Sequence, residues 1–216
     1  LYSGFPTSGT ASKTLAFVKT ANGSPRKEDV WSATRGYPKM GAFHSGRLWL
    51  GGPKSKSQSL FASKSGSFFD FFFEDGADDE GMFLTLTSKN LTSIVNINSD
   101  RGLQVFTRGA EFVVENNTPS TVSIVSQTQH GSLPVDITSI DGASLFVDQN
   151  GQSIRQYVFS FNEDAYTSAD ISVLSSHLIK TPVDIAVLSG TSSEDANWVF
   201  IVNTDGTASI LNTVRS

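Results

Sequence analysis

A strand–turn–strand unit recurs four times along the chain, and this repeat limits the possible folds more than any other feature. Gly46-Arg-Leu-Trp-Leu-Gly-Gly52 is followed, past a polar loop, by Ser59-Leu-Phe-Ala-Ser63. Arg101-Gly-Leu-Gln-Val-Phe-Thr-Arg-Gly109 runs directly into Ala110-Glu-Phe-Val-Val114. Ala143-Ser-Leu-Phe-Val-Asp-Gln-Asn-Gly151 and Trp198-Val-Phe-Ile-Val-Asn-Thr-Asp-Gly206 each lead into another alternating stretch. Asn150-Gly151 and Asp205-Gly206 are dipeptides that accept the positive φ of tight hairpins, and Gly109 is expected to serve the same way. Anchored on Leu48, Leu103, Leu145 and Val199, the units are 55, 42 and 54 residues apart. Repeats of roughly 40–50 residues with several strands each are the pattern of propeller blades. Apolar stretches at 91–97, 135–140 and 183–188 fit as the inner strand of each blade.

The expected fold is therefore all-β, with β-propeller-like repeats of antiparallel strands; a β-sandwich is the alternative with the same periodicity. Composition agrees, because 32 Ser, 19 Thr, 18 Gly and 16 Phe in 216 residues favour strands and turns over helices. One short helix is expected near 169–178, where Ile171, Leu174 and Leu178 fall at helical spacing, with Ser168 to cap it and Asp170 in its first turn. Residues 1–40 read as a Gly-, Ser- and Pro-rich connecting arm with one strand at 14–20, and 41–216 as the repeat domain. The first residue is Leu, with no signal sequence after it, so the chain is expected to be part of a longer polypeptide.

Charge is unevenly distributed. Residues 1–64 carry ten Lys or Arg against Glu28 and Asp29, net +8, and residues 65–216 carry six against 19 acids, net −13. Arg26, Lys27, Arg35, Lys39, Lys54 and Lys56 form the candidate charged docking surface, facing an acidic neighbour or DNA.

Several kinds of chemistry are excluded or unsupported. Without cysteine there is no disulfide, thiolate zinc site or cysteine nucleophile. No apolar run reaches the 18 or so residues of a membrane span. His44, His130 and His177 lack metal-ligand spacing. The acidic run from Glu74 to Glu80 lacks the alternate-residue pattern of a calcium loop and reads as a solvated loop. No phosphate-binding loop or nucleophile elbow occurs. Ser139-Ile-Asp141-Gly-Ala is the nearest approach to the Ser-x-Asp-x-Gly-x-x-Trp turns of propeller glycosidases, and its Gly is out of place. No catalytic, cofactor-binding or metal-binding residues are assigned.

Phe68-Phe-Asp-Phe-Phe-Phe73 cannot point all its rings to one side of a strand. Each buried Phe is worth about 1.5–3 kcal/mol, so the run needs a second apolar surface. That surface is either a further layer of the core or a neighbouring subunit, which makes Phe68, Phe69, Phe71, Phe72 and Phe73 the candidate assembly interface.

An ordered series of segments supports a family resemblance. It starts with Trp31-Ser-Ala-Thr-Arg-Gly-Tyr-Pro38, Ala42-Phe-His-Ser-Gly-Arg-Leu48 and Leu60-Phe-Ala-Ser-Lys-Ser-Gly66, ending in Phe69-Asp-Phe71. Leu103-Gln-Val-Phe-Thr-Arg-Gly-Ala-Glu-Phe112, Val125-Ser-Gln-Thr-Gln-His-Gly131, Leu145-Phe-Val-Asp148 and Tyr166-Thr-Ser-Ala-Asp-Ile-Ser-Val-Leu174 with His177-Leu178 follow. Over residues 31–180 the chain resembles the tail tubular, or nozzle, proteins of short-tailed bacteriophages. The resemblance implies a non-enzymatic virion protein of the phage tail, assembled in the host cytoplasm. Its partners would be other tail proteins and further copies of itself, as a ring below the portal and adaptor that forms the conduit for DNA ejection. It implies only transient, non-specific contact with DNA, no membrane and no cofactor. An acidic lining would let DNA pass without gripping it, because each neutralised phosphate strengthens binding. The alternative is a carbohydrate-binding or glycan-cleaving propeller used in receptor recognition. Paired carboxylates beside an exposed Trp or Tyr would mark it, and Trp31, Trp49 and Trp198 are the tryptophans to inspect.

Overall fold

The computed structural model describes residues 31–72, 77–87, 93–190 and 196–213, together with the backbone of residues 16–21 and 24–29. The chain is all-β. Strands β1 (Ala16–Ala21) and β2 (Ser24–Asp29) form a hairpin, so the arm holds two strands where one was expected. Among the described residues, fifteen further strands form four antiparallel meanders in chain order. Sheet 1 comprises β3 (Met40–His44), β4 (Arg47–Gly51), β5 (Ser59–Ala62) and β6 (Met82–Thr85). Sheet 2 comprises β7 (Ile94–Ser99), β8 (Leu103–Thr107), β9 (Glu111–Glu115) and β10 (Ser123–Thr128). Sheet 3 comprises β11 (Thr138–Ile140), β12 (Ala143–Val147), β13 (Ile154–Ser160) and β14 (Ala165–Asp170). Sheet 4 has three strands, β15 (Pro182–Leu188), β16 (Asn197–Asn203) and β17 (Ala208–Thr213).

These propeller-like sheets stack face to face in sequence order because a strand sends alternate side chains to opposite faces. From β8, Leu103 and Val105 face sheet 1 and join Trp49, Leu60 and Ala62 in one core. Phe106, on the other face of β8, joins Phe146, Tyr157 and Tyr166 of sheet 3. From β12, Leu145 and Val147 turn the opposite way and pack on Val199 and Ile201 of sheet 4. Covered on both faces, β8 and β12 are buried at every position. In β16 the burial alternates strictly, because only one of its faces is covered. The far face of sheet 1 is closed differently: Trp31 from the lead-in and Phe71 from the phenylalanine run pack on Phe61, at ring separations of 5.3 Å (Trp31–Phe61) and 5.7 Å (Trp31–Phe71).

Turn chemistry explains the hairpins. Gly151 and Gly206 have the positive φ expected of them, at 67° and 81°. Gly109 does not. Instead the Thr107 hydroxyl closes that turn, accepting from the Gly109 and Ala110 amides and donating to the Ala110 carbonyl. Ser45-Gly46 and Asp141-Gly142 are the pairs in which both residues are left-handed, as a two-residue I′ hairpin requires.

The expected helix at 169–178 is corrected. Residues up to Asp170 pair with β13 to complete sheet 3, from Ser160↔Ala165 to Arg155↔Asp170. Asp170 Oδ1 then accepts from the amide and hydroxyl of Ser172, at 2.8 and 2.9 Å, and this side-chain turn ends the strand. Only a single 3-10 turn, Ser176–Leu178, follows. Ile171 packs on the core between sheets 3 and 4, but Leu174 is 92% exposed, so the helical spacing marked no continuous apolar stripe.

Candidate functional site

The phenylalanine run divides between core and surface. Phe71 is buried under Trp31, while Phe68, Phe69 and Phe72 are exposed, Phe69 by 57%. Phe73 lies outside the described residues. Phe43, from the end of β3, meets Phe68 edge-on at 5.1 Å, and Lys64 Nζ sits 5.3 Å from the Phe72 ring. Phe43 and Phe68 thus make an exposed aromatic pair beside sheet 1, with Phe69 and Phe72 exposed close by in the chain.

A larger apolar surface lies at the other end of the stack. On the uncovered face of sheet 4, register places Leu188 beside Trp198, Phe200 between Ala186 and Ile210, and Val202 between Asp184 and Ala208. Phe200 is 39% exposed and Ile210 57%, with Leu188, Trp198 and Val202 exposed between and around them. The corresponding faces of sheets 2 and 3 are covered by the next sheet. Sequence reasoning had missed this surface, although Trp198-Val-Phe-Ile-Val202 is apolar at both alternations.

The expected basic residues lie on several segments. Arg26 and Lys27 lie on β2, opposite Lys19 and Val18. Lys56 Nζ lies 5.1 Å from the Phe83 ring, and the Arg35 carbonyl accepts the Ser55 amide. Lys39 and Lys54 do come together, joined by Arg108, around a cavity of about 630 Å³ between sheets 1 and 2.

Arg47 is the largest buried charge described. Its guanidinium donates to main-chain carbonyls: Nη1 to Ser63 (2.7 Å) and Glu80, Nη2 to Asp78 (2.7 Å), and Nε to Asn117 (3.1 Å). The carbonyls of the acidic segment at 78–80, which a calcium ion would need, are thereby turned toward an arginine. Among the described residues no three His, Asp or Glu side chains gather as a metal site, and no helix is long and apolar enough to cross a membrane.

A second cavity, of about 360 Å³, opens between sheets 1, 2 and 3 and is lined by His44, Trp49, Arg101, Glu115, Asp164 and Tyr166. His44 Nδ1 pairs with Ser99 Oγ at 2.9 Å, and burial lowers its pKa while Asp100 opposes the shift. Arg101 lies over the Phe159 ring at 4.4 Å. Trp49 and Tyr166, the polar aromatics here, are buried within the sheet contacts, so neither offers a flat exposed ring.

No protein-family model matches the chain, and no curated protein sequence matches it.

Proposed function

We propose that the chain is a structural component of a bacteriophage tail: a nozzle or tubular protein that assembles with other copies and other tail proteins below the portal and adaptor, around the path of DNA ejection. It acts by assembly, not by catalysis. The observation that supports this most is the uncovered face of sheet 4. Five large apolar side chains share one flat surface, where each preceding sheet has the next one packed against it. Contiguous exposed apolar surface of this kind marks an interface. The exposed Phe43–Phe68 pair, with Phe69 and Phe72 exposed close by in the chain, provides further apolar surface beside sheet 1. The ordered resemblance of residues 31–180 supplies the tail setting.

Light scattering over a range of concentration tests the reading. A mass rising above the monomer supports assembly through these faces, and a monomer at every concentration removes them as self-assembly surfaces.

The second reading, a glycan-binding module, draws on the 360 Å³ cavity, which brings Glu115 and Asp164 together with aromatic walls. The buried state of Trp49 and Tyr166 weighs against it, since sugar rings stack on exposed aromatic faces. Retention on a glycan array, lost in Asp164→Ala, would move this reading to the front.

A further inference from the structure

We infer that the cavity between sheets 1 and 2 is a binding site for phosphate groups. Three cations from three different segments share its wall. Lys39 precedes β3, Lys54 follows β4, and Arg108 follows β8. None of the three side chains has an ion-pair or hydrogen-bond partner among the described residues. Asp136, before β11, is the one acid in the lining, so the cavity carries a net positive charge of two. Its volume of about 630 Å³ lies within the roughly 300–1,000 Å³ of ligand sites.

The backbones carrying the three cations are held in place. Gly36 of the lead-in packs so closely on Lys54 that an added Cβ would lie 2.7 Å from the Lys54 Cβ and 2.9 Å from its amide nitrogen. The Ser55 amide donates to the Arg35 carbonyl at 2.9 Å, tying the same turn to the lead-in. Gly131 packs on the Arg108 carbonyl, where any side chain would collide, and the Arg108 amide donates to Ser93. The Lys39 amide donates to the Gly51 carbonyl at 3.0 Å. Positive charge is thus gathered on fixed backbone, with Asp136 as the one carboxylate in the lining to offset it. An oxyanion with several acceptor atoms satisfies such a site: the arginine offers a two-donor fork and the lysines compact point charges.

Phosphate chemistry is shared by free phosphate, nucleotides and a nucleic-acid backbone, and two probes separate these sources. Inorganic phosphate and a short DNA duplex are each titrated into the protein, following the amide resonances of Lys39, Lys54 and Arg108. Saturable shifts at these amides are expected with at least one probe. The Lys54→Gln/Arg108→Gln variant should weaken that binding roughly tenfold or more, as loss of charge-assisted hydrogen bonds requires, at an unchanged thermal midpoint. With duplex, the affinity should fall with salt at a log–log slope of up to about −2.7 for three neutralised phosphates. Binding of phosphate alone assigns the site to a free phosphate or nucleotide; binding of duplex assigns it to a nucleic-acid backbone. No shift at these amides with either probe, or shifts that persist in the variant, overturns the inference. Only the duplex arm rests on the DNA-passage reading. Its failure beside successful phosphate binding would leave the site standing, and the assembly reading is decided separately by mass.

Discussion

Two buried or half-buried side chains carry predictions that belong to single residues. Arg47 is 1% exposed and donates to carbonyls of three separate segments, at Ser63, at Asp78 and Glu80, and at Asn117. Arg47→Ala would strand those acceptors and is expected to cost about 3 kcal/mol in urea unfolding, since each buried group left unsatisfied costs about 1–3 kcal/mol. Arg47→Lys should recover only part of that, because an ammonium has no planar fork to span the carbonyls. A loss below about 0.5 kcal/mol in Arg47→Ala, the size of an ordinary surface change, would show that these bonds do not hold the loop. His44 gives a pH dependence. Its folded pKa is lowered, by burial, below the unfolded value near 6.5, so the unfolded chain binds more protons in that range. Its contribution is therefore fully present above the unfolded pKa and is lost as pH falls through the folded one. Unfolding measured at pH 7.5 and pH 5 should show a drop that shrinks in His44→Gln; an equal drop in both proteins would contradict this.

At the scale of the element, contrasting neighbours on β16 test whether only one face of sheet 4 is covered. Ile201 packs between sheets 3 and 4, whereas Val202, one residue on, faces outward. Ile201→Ala should cost about 2–5 kcal/mol, the usual range for emptying a core site, and Val202→Ala within about 0.5 kcal/mol, as at an ordinary surface site. Similar costs at both would mean that the outer face is packed in solution. The strands themselves were legible from sequence: Leu103, Leu145 and Val199 sit in second strands, and the stretches expected at 135–140 and 183–188 overlap β11 and β15. The segment at 169–178 was not legible. Ile171, Leu174 and Leu178 have helical spacing, yet Asp170 captures Ser172 and stops the chain, a local side-chain bond that periodicity does not register. The Arg108-Gly109 turn was misread for the same reason, because a threonine hydroxyl replaces the glycine conformation there. Of the candidate surfaces, the phenylalanine run was visible in composition. Which of its rings are buried depended on Trp31, about 40 residues earlier in sequence. Lys39 and Lys54 were visible as charges, but their meeting with Arg108 depends on how sheets 1 and 2 pack.

For the whole molecule, two sources of association make opposite predictions about salt. The basic first third and acidic remainder, +8 against −13, favour docking by charge, which salt screens within a Debye length of about 8 Å at physiological ionic strength. The outer face of sheet 4 favours docking by apolar burial, which salt leaves intact or strengthens. Its exposed side chains alternate with the core along one strand, so a charge placed there need not disturb the fold. Phe200→Glu is accordingly expected to keep the unfolding midpoint within a few degrees and to shift light-scattering mass toward the monomer. In the unmodified protein, association should persist as salt is raised. If association instead collapses in salt and Phe200→Glu leaves it unchanged, the copies meet through the charged segments, and the sheet 4 face awaits a different partner.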